Sequence, residues 1–157
     1  PDQYSYRIPE LIRGTRKHFL EEQTGLFYNR KEDGRVSELV NSLAILAGVC
    51  SRDEEQMIAE KLTDPQSELT PVTLSMLCFK YDALLKVDRE GYRDYILTQI
   101  REKYRRMLDA GATTFWETED SDEFKGAESL CHGWSALPIY YYEVFGGQKA
   151  VSALYEE

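Results

Sequence analysis

Between Leu39 and Cys50 the chain carries no charged residue, while the stretches on either side are dense in charge. A helix that is apolar nearly all round must be covered on more than one side. This one run therefore rules out a single layer of surface helices. It asks for helices that are themselves wrapped by other helices.

The rest of the chain supplies them in alternation. Residues 8 to 22 place Ile8, Leu11, Ile12, Phe19 and Leu20 on one helical face and Arg13, Arg16, Lys17, Glu21 and Glu22 on the other. His18 falls on the polar side and reads as a surface residue. The uncharged run defines a second helix over 37 to 50. Ser51 and Glu54 have capping-box spacing and start a third, which carries Met57, Ile58 and Leu62 and ends before Asp64-Pro65. Thr70-Pro71 opens a fourth helix over 71 to 86, rich in apolar residues from Val72 to Leu85. Asp88 caps a fifth over 89 to 109. There Tyr92, Tyr95, Ile96, Ile100, Tyr104, Met107 and Leu108 form a stripe in an otherwise charged sequence. A sixth over 135 to 145 starts with help from Pro138, carries only Glu143 as a charge, and ends at Gly146-Gly147. Residues 148 to 157 read as a further helical turn or a frayed end.

Helices one, three and five are thus amphipathic, and helices two, four and six are apolar on most sides. The predicted fold class is all-α, built of helical hairpins in two layers, with outer helices facing water and inner ones packed on both sides. Residues 23 to 36 form a connector, with a short strand at Gly25–Tyr28 and a turn at Asp33-Gly34. Tyr4, Tyr6, Phe27 and Tyr28 are read as packing the hairpin ends in preference to lining a binding site. No repeat appears at the period of about 34 residues expected of stacked helical-repeat units. An isolated bundle would leave the irregular segment after the fifth helix unexplained.

A length of 157 residues predicts one compact unit. The formal charge of −9 argues against nucleic acid and against an anionic membrane surface as partners. No apolar run approaches the roughly 20 residues of a membrane helix. The chain opens on Pro1-Asp2-Gln3, which reads as a cut or processed end. Cys50, Cys78 and Cys131 lack the paired spacing of a zinc site. The first two lie in apolar helical runs and read as buried. Unpaired cysteines lean toward a reducing compartment, which leaves localisation open.

The chemistry concentrates in two segments. Gly111-Ala112-Thr113-Thr114-Phe115-Trp116-Glu117 leaves the fifth helix, with Gly111 where a positive-φ helix terminator is expected. Thr113 to Trp116 read as a short β-prone run delivering the carboxylate of Glu117. Ser129-Leu130-Cys131-His132-Gly133-Trp134-Ser135-Ala136 places a histidine and a tryptophan just before the sixth helix. A carboxylate beside aromatic rings suits a sugar: the rings stack on the apolar faces of a pyranose, and the carboxylate moves protons or binds hydroxyls. Without further information, Glu117 reads as a loop carboxylate and His132 as an ordinary loop residue. A nucleophilic Cys131 assisted by His132 is disfavoured, because adjacent side chains seldom face each other. The acidic run Glu119, Asp120, Asp122, Glu123 and Glu128 lacks EF-hand spacing and reads as solvated, so no metal or cofactor is expected.

These two segments resemble the catalytic domain of bacterial α-L-rhamnosidases, inverting glycosidases with a six-hairpin (α/α)6 barrel. The resemblance runs back through Thr24–Tyr28 and Ser37-Glu38 to Ala47-Gly48 and covers nearly the whole chain. It implies that Glu117 is the general base, that His132 contacts bound rhamnose, and that Trp134 and Trp116 belong to the substrate site. Trp116 would support the loop from below; Trp134 would either touch sugar or support the loop. It further implies a carbohydrate partner. Three hairpins would make residues 1 to 157 about half of such a barrel. Residues 1 to 36 contain no match to the acidic, Arg-containing motif that supplies the family's general acid, and no following β-sandwich is seen. The expectation is a fragment that is inactive alone and self-associates through uncovered inner helices. The competing expectation is a non-catalytic helical-hairpin module that binds carbohydrate or protein; another six-hairpin hydrolase or lyase acting on a different sugar is a third.

Overall fold

The computed structural model describes residues 4–119 and 129–146. Among these residues it contains six α-helices and one two-stranded antiparallel ribbon. The helices are α1 (Ile8–Phe19), α2 (Glu38–Leu46), α3 (Arg52–Thr63), α4 (Leu77–Val87), α5 (Arg93–Asp109) and α6 (Leu137–Val144). The ribbon pairs β1 (Tyr28–Arg30) with β2 (Arg35–Val36). The predicted all-α class holds, and every predicted helix is present. None of the described helices is long and apolar enough to cross a membrane. Where length alone predicts one compact unit, contacts divide the chain into two. One holds the residues up to Val72 together with Phe79–Arg89; the other holds Thr73–Cys78 together with the residues from Glu90 onward.

In the first unit, the uncharged run forms α2, started by Ser37, whose hydroxyl accepts the Val40 N–H. Ile45, Ile58, Leu62 and Leu84 are fully buried, as are Leu26 and Phe27 of the connector. Phe27 therefore packs, as expected, whereas Tyr4 and Tyr6 are exposed. Asn41 is the polar centre of this unit: its side-chain amide donates to the carbonyls of Phe27 and Ser37 and accepts the Phe27 N–H. The predicted strand is displaced, beginning at Tyr28 rather than Gly25, and the turn is closed by Gly34 at φ 65°.

The predicted start of helix four at Thr70-Pro71 is not observed. Thr70 instead bridges to Ser37, giving its N–H to Val36 and accepting from Glu38 N at 3.0 Å each. Glu38 also accepts the Val72 N–H at 2.9 Å and the Lys80 ammonium at 2.6 Å, within a nearly buried pair. These partners lie more than 30 residues apart, so they hold residues 70 to 72 extended and delay α4. Asp88 likewise does not cap α5, which begins only at Arg93, after a turn at 89 to 92. Helix α1 buries no residue, and Ile8, Leu11 and Phe19 on its apolar face are exposed.

Cations complete the carboxyl end of the α2 run. Arg16 donates to Val49 O at 3.0 Å and grips both oxygens of Glu54 at 2.7 and 2.9 Å. Glu54 closes the capping box of α3 with Ser51. Lys86 reaches Ile45 O and Glu55. The Arg16 guanidinium holds the Glu54 carboxyl down to about 2, with Ser51 helping. A carboxylate whose folded pKa is depressed stabilises the fold above its ordinary pKa and loses that contribution as pH falls through the folded value. Unfolding free energy is thus expected to drop between about pH 5 and pH 2. The share from this partly exposed pair is about 1–2 kcal/mol after solvent screening. Glu54→Gln should flatten that part of the profile in urea titrations; an unchanged acid limb would contradict the assignment.

Burial pushes the Cys50 thiol up to about 12, with Glu54 and Glu55 adding to the shift, so it stays protonated at neutral pH. Cys50 and Cys78 are half-buried rather than fully buried.

Candidate functional site

The site belongs to the second unit and is framed by α5 and α6. Helix α5 buries Ile96, Leu97, Ile100, Tyr104 and Met107; Leu108, at the end of the predicted stripe, is exposed. The helix stops at Gly111, which takes φ 79°. Gly111 N–H bonds Leu108 O and Ala112 N–H bonds Met107 O, both at 2.9 Å. That is the Schellman arrangement anticipated at this glycine. It turns the chain into Thr113–Glu117.

The predicted β-prone run is not a strand. The segment runs irregularly beside residues 129 to 132 instead, joined by separate bonds. Glu117 N–H meets Ser129 O at 2.9 Å, and His132 N–H meets Phe115 O at 2.7 Å. The Thr114 hydroxyl donates to Leu130 O. Ser129 Oγ accepts the Cys131 N–H at 3.2 Å and donates to Cys131 O at 3.0 Å. A regular ladder is replaced by side-chain hydroxyls competing for the backbone.

This pairing gathers most of the residues singled out in the sequence. Glu117 is half-buried, and its Oε2 accepts the Ser129 N–H at 2.9 Å. One oxygen of the carboxylate fastens the loop; the other has no hydrogen bond to a described residue. His132 is half-buried and precedes a 3₁₀ turn, Gly133–Ser135, that leads into α6. Trp134 in that turn is 68% exposed and meets the His132 ring edge-on at 5.9 Å. Its open face can stack on a ligand, whereas Trp116, 8% exposed, lies in the core and cannot offer one. Cys131 is exposed. Of the acidic run, Glu119 pairs with Lys103 at 2.5 Å; Asp120, Asp122, Glu123 and Glu128 lie outside the described residues, as does the tail at 148 to 157. No cluster of three or more potential metal ligands occurs among the described residues.

One residue escaped the sequence reading as anything but core. Tyr104 is 7% exposed, donates its hydroxyl to Ser135 O at 2.6 Å, and meets the Phe115 ring edge-on at 5.8 Å. Burial, with the Glu119 charge adding to it, pushes its phenol above the ordinary range, so it remains a donor at any working pH. A tyrosine inside the apolar stripe of α5 was the available signal, because a buried tyrosine hydroxyl needs a partner.

A groove of about 720 Å³ lies alongside, lined by α5, α6 and Ala112–Phe115. Glu117, His132 and Trp134 are not among its lining residues. The chemistry therefore does not line this groove, and the exposed Trp134 surface is the better candidate for ligand contact.

The fold is glycoside hydrolase-like. Two of the solved structures that it is similar to are rhamnosidases. A rhamnosidase from Klebsiella oxytoca with rhamnose bound superimposes over 91% of this chain, with a TM-score of 0.76 and 25% identity. A GH78-family rhamnosidase of Bacillus sp. GL1 does so over 90%, with a TM-score of 0.76 and 26% identity. This chain spans 28% and 16% of those chains, respectively. No family model matches the chain, and no curated protein matches it.

Proposed function

We propose that residues 1 to 157 are part of the catalytic domain of an inverting α-L-rhamnosidase, forming three hairpins of an (α/α)6 barrel. The observation that carries this reading is the Glu117–His132 loop pairing, found in a fold shared over most of its length with a rhamnose-bound rhamnosidase. Glu117 is the general base, drawing a proton from the attacking water. His132 bonds sugar hydroxyls, Trp134 offers its exposed face to the pyranose, and Trp116 supports the loop from within.

Inversion needs a second carboxyl about 6.5–9.5 Å from the base to protonate the leaving oxygen. No carboxylate of this chain is matched to that acid. The isolated chain is therefore expected to release no rhamnose from an aryl α-L-rhamnoside above a Glu117→Gln control. Light scattering is expected to find it dimeric or larger, because Ile139 and Tyr140 of α6 are exposed and apolar. Turnover by a clean monomer would contradict both expectations.

One observation favours a second reading. The Ser129 bond makes Glu117 a structural fastener, as in a carbohydrate-binding hairpin module without catalysis. Such a module would bind rhamnose and show no turnover even in the longest natural protein that contains it.

A further inference from the structure

We infer that Tyr104 is a positioning residue that sets the Glu117 segment and the His132–Trp134 turn in one register. This inference rests on the proposed site. The turn leads into α6 at a point where the backbone cannot satisfy itself. Pro138 has no N–H, and the Ile139 N–H goes to Ala136 O at 3.3 Å, which leaves Ser135 O without a backbone donor among the described residues. Ser135 is fully buried, so water does not substitute. Tyr104 fills the gap from α5 with a 2.6 Å bond.

The same side chain holds the other segment. Its ring abuts Phe115, two residues before Glu117, and Phe115 O accepts the His132 N–H at 2.7 Å. A closed circuit results: Tyr104 hydroxyl to Ser135, through the turn to His132, across to Phe115, and back to the Tyr104 ring. Because α5 is long and buries Ile96, Ile100 and Met107 around Tyr104, the circuit is anchored to a rigid element. Neither segment can shift along the other without breaking the hydroxyl bond or the ring contact. Supporting contacts of this kind hold reacting groups within the small tolerance that catalysis allows.

Tyr104→Phe keeps the ring and removes the bond, and amide NMR of the 157-residue chain reads the consequence without any need for turnover. Shifts are expected at Ser129 and His132 as well as at Ser135–Leu137; changes confined to Ser135 and its immediate neighbours would overturn the inference. Phe115→Leu approaches the circuit from the other side and decides the matter should Tyr104→Phe not fold. It is expected to move the Ser135–Leu137 amides, and leaving them unmoved would equally overturn it. In the full-length protein, Tyr104→Phe should lower kcat about ten- to a hundredfold while KM holds; an unchanged kcat would count against the inference. If wild type hydrolyses no rhamnoside, the proposed activity fails, and the amide shifts still decide the role of Tyr104.

Discussion

Asn41→Leu is expected to lower the unfolding free energy by about 2–4 kcal/mol. Asn41 is fully buried and makes three hydrogen bonds. Two of these satisfy the N–H and C=O of Phe27, itself only 1% exposed. Leucine keeps the branched skeleton and leaves no cavity, but both Phe27 groups lose their partner at about 1–3 kcal/mol each. Ser37 O is spared because it also accepts the Asn41 N–H, at 3.2 Å. Urea unfolding should show a lower midpoint at constant slope. A loss below about 1 kcal/mol would mean that water reaches Phe27 and that the connector is not pinned to α2.

Glu117→Gln carries the largest expected effect on activity. Glutamine retains a side-chain oxygen able to accept the Ser129 N–H, so the loop fastening survives. What is lost is the ability to take a proton. In the full-length protein kcat should fall about 10²–10⁴-fold, the range of general acid–base catalysis, with substrate affinity largely kept. Steady-state kinetics on an aryl α-L-rhamnoside separates the two. A loss confined to KM would assign Glu117 to binding, and a parallel loss of thermal stability would assign it to holding the loop.

The helices were legible because local patterns determine them. The uncharged run around Leu43, the Ser51–Glu54 capping box and Gly111 as the terminator of α5 all act within a few residues. Two failures arise from hydrogen bonds that the local pattern does not show. Thr70-Pro71 has every local mark of a helix start, yet Ser37 and Glu38 claim its backbone. Thr113 to Trp116 have strand propensity, but Thr114 and Ser129 divert the hydrogen bonds to hydroxyls. Asn41 lies in the uncharged run beside Ser42, and only the fold directs its amide to Phe27. In the site, Glu117 and His132 were singled out through the resemblance rather than by local pattern, and the structure pairs the segments that carry them. The stripe tyrosine Tyr104 signalled a hydroxyl in need of a partner, but that partner, Ser135 O, lies 31 residues away and the sequence does not name it.

The most direct test of the account is hydrolysis of an aryl α-L-rhamnoside by the natural full-length protein, with the anomer of the newly released sugar followed by NMR. The account predicts β-L-rhamnose as the first product, formed by wild type and nearly abolished by Glu117→Gln. Release of the α-anomer, or turnover that Glu117→Gln leaves intact, would contradict it.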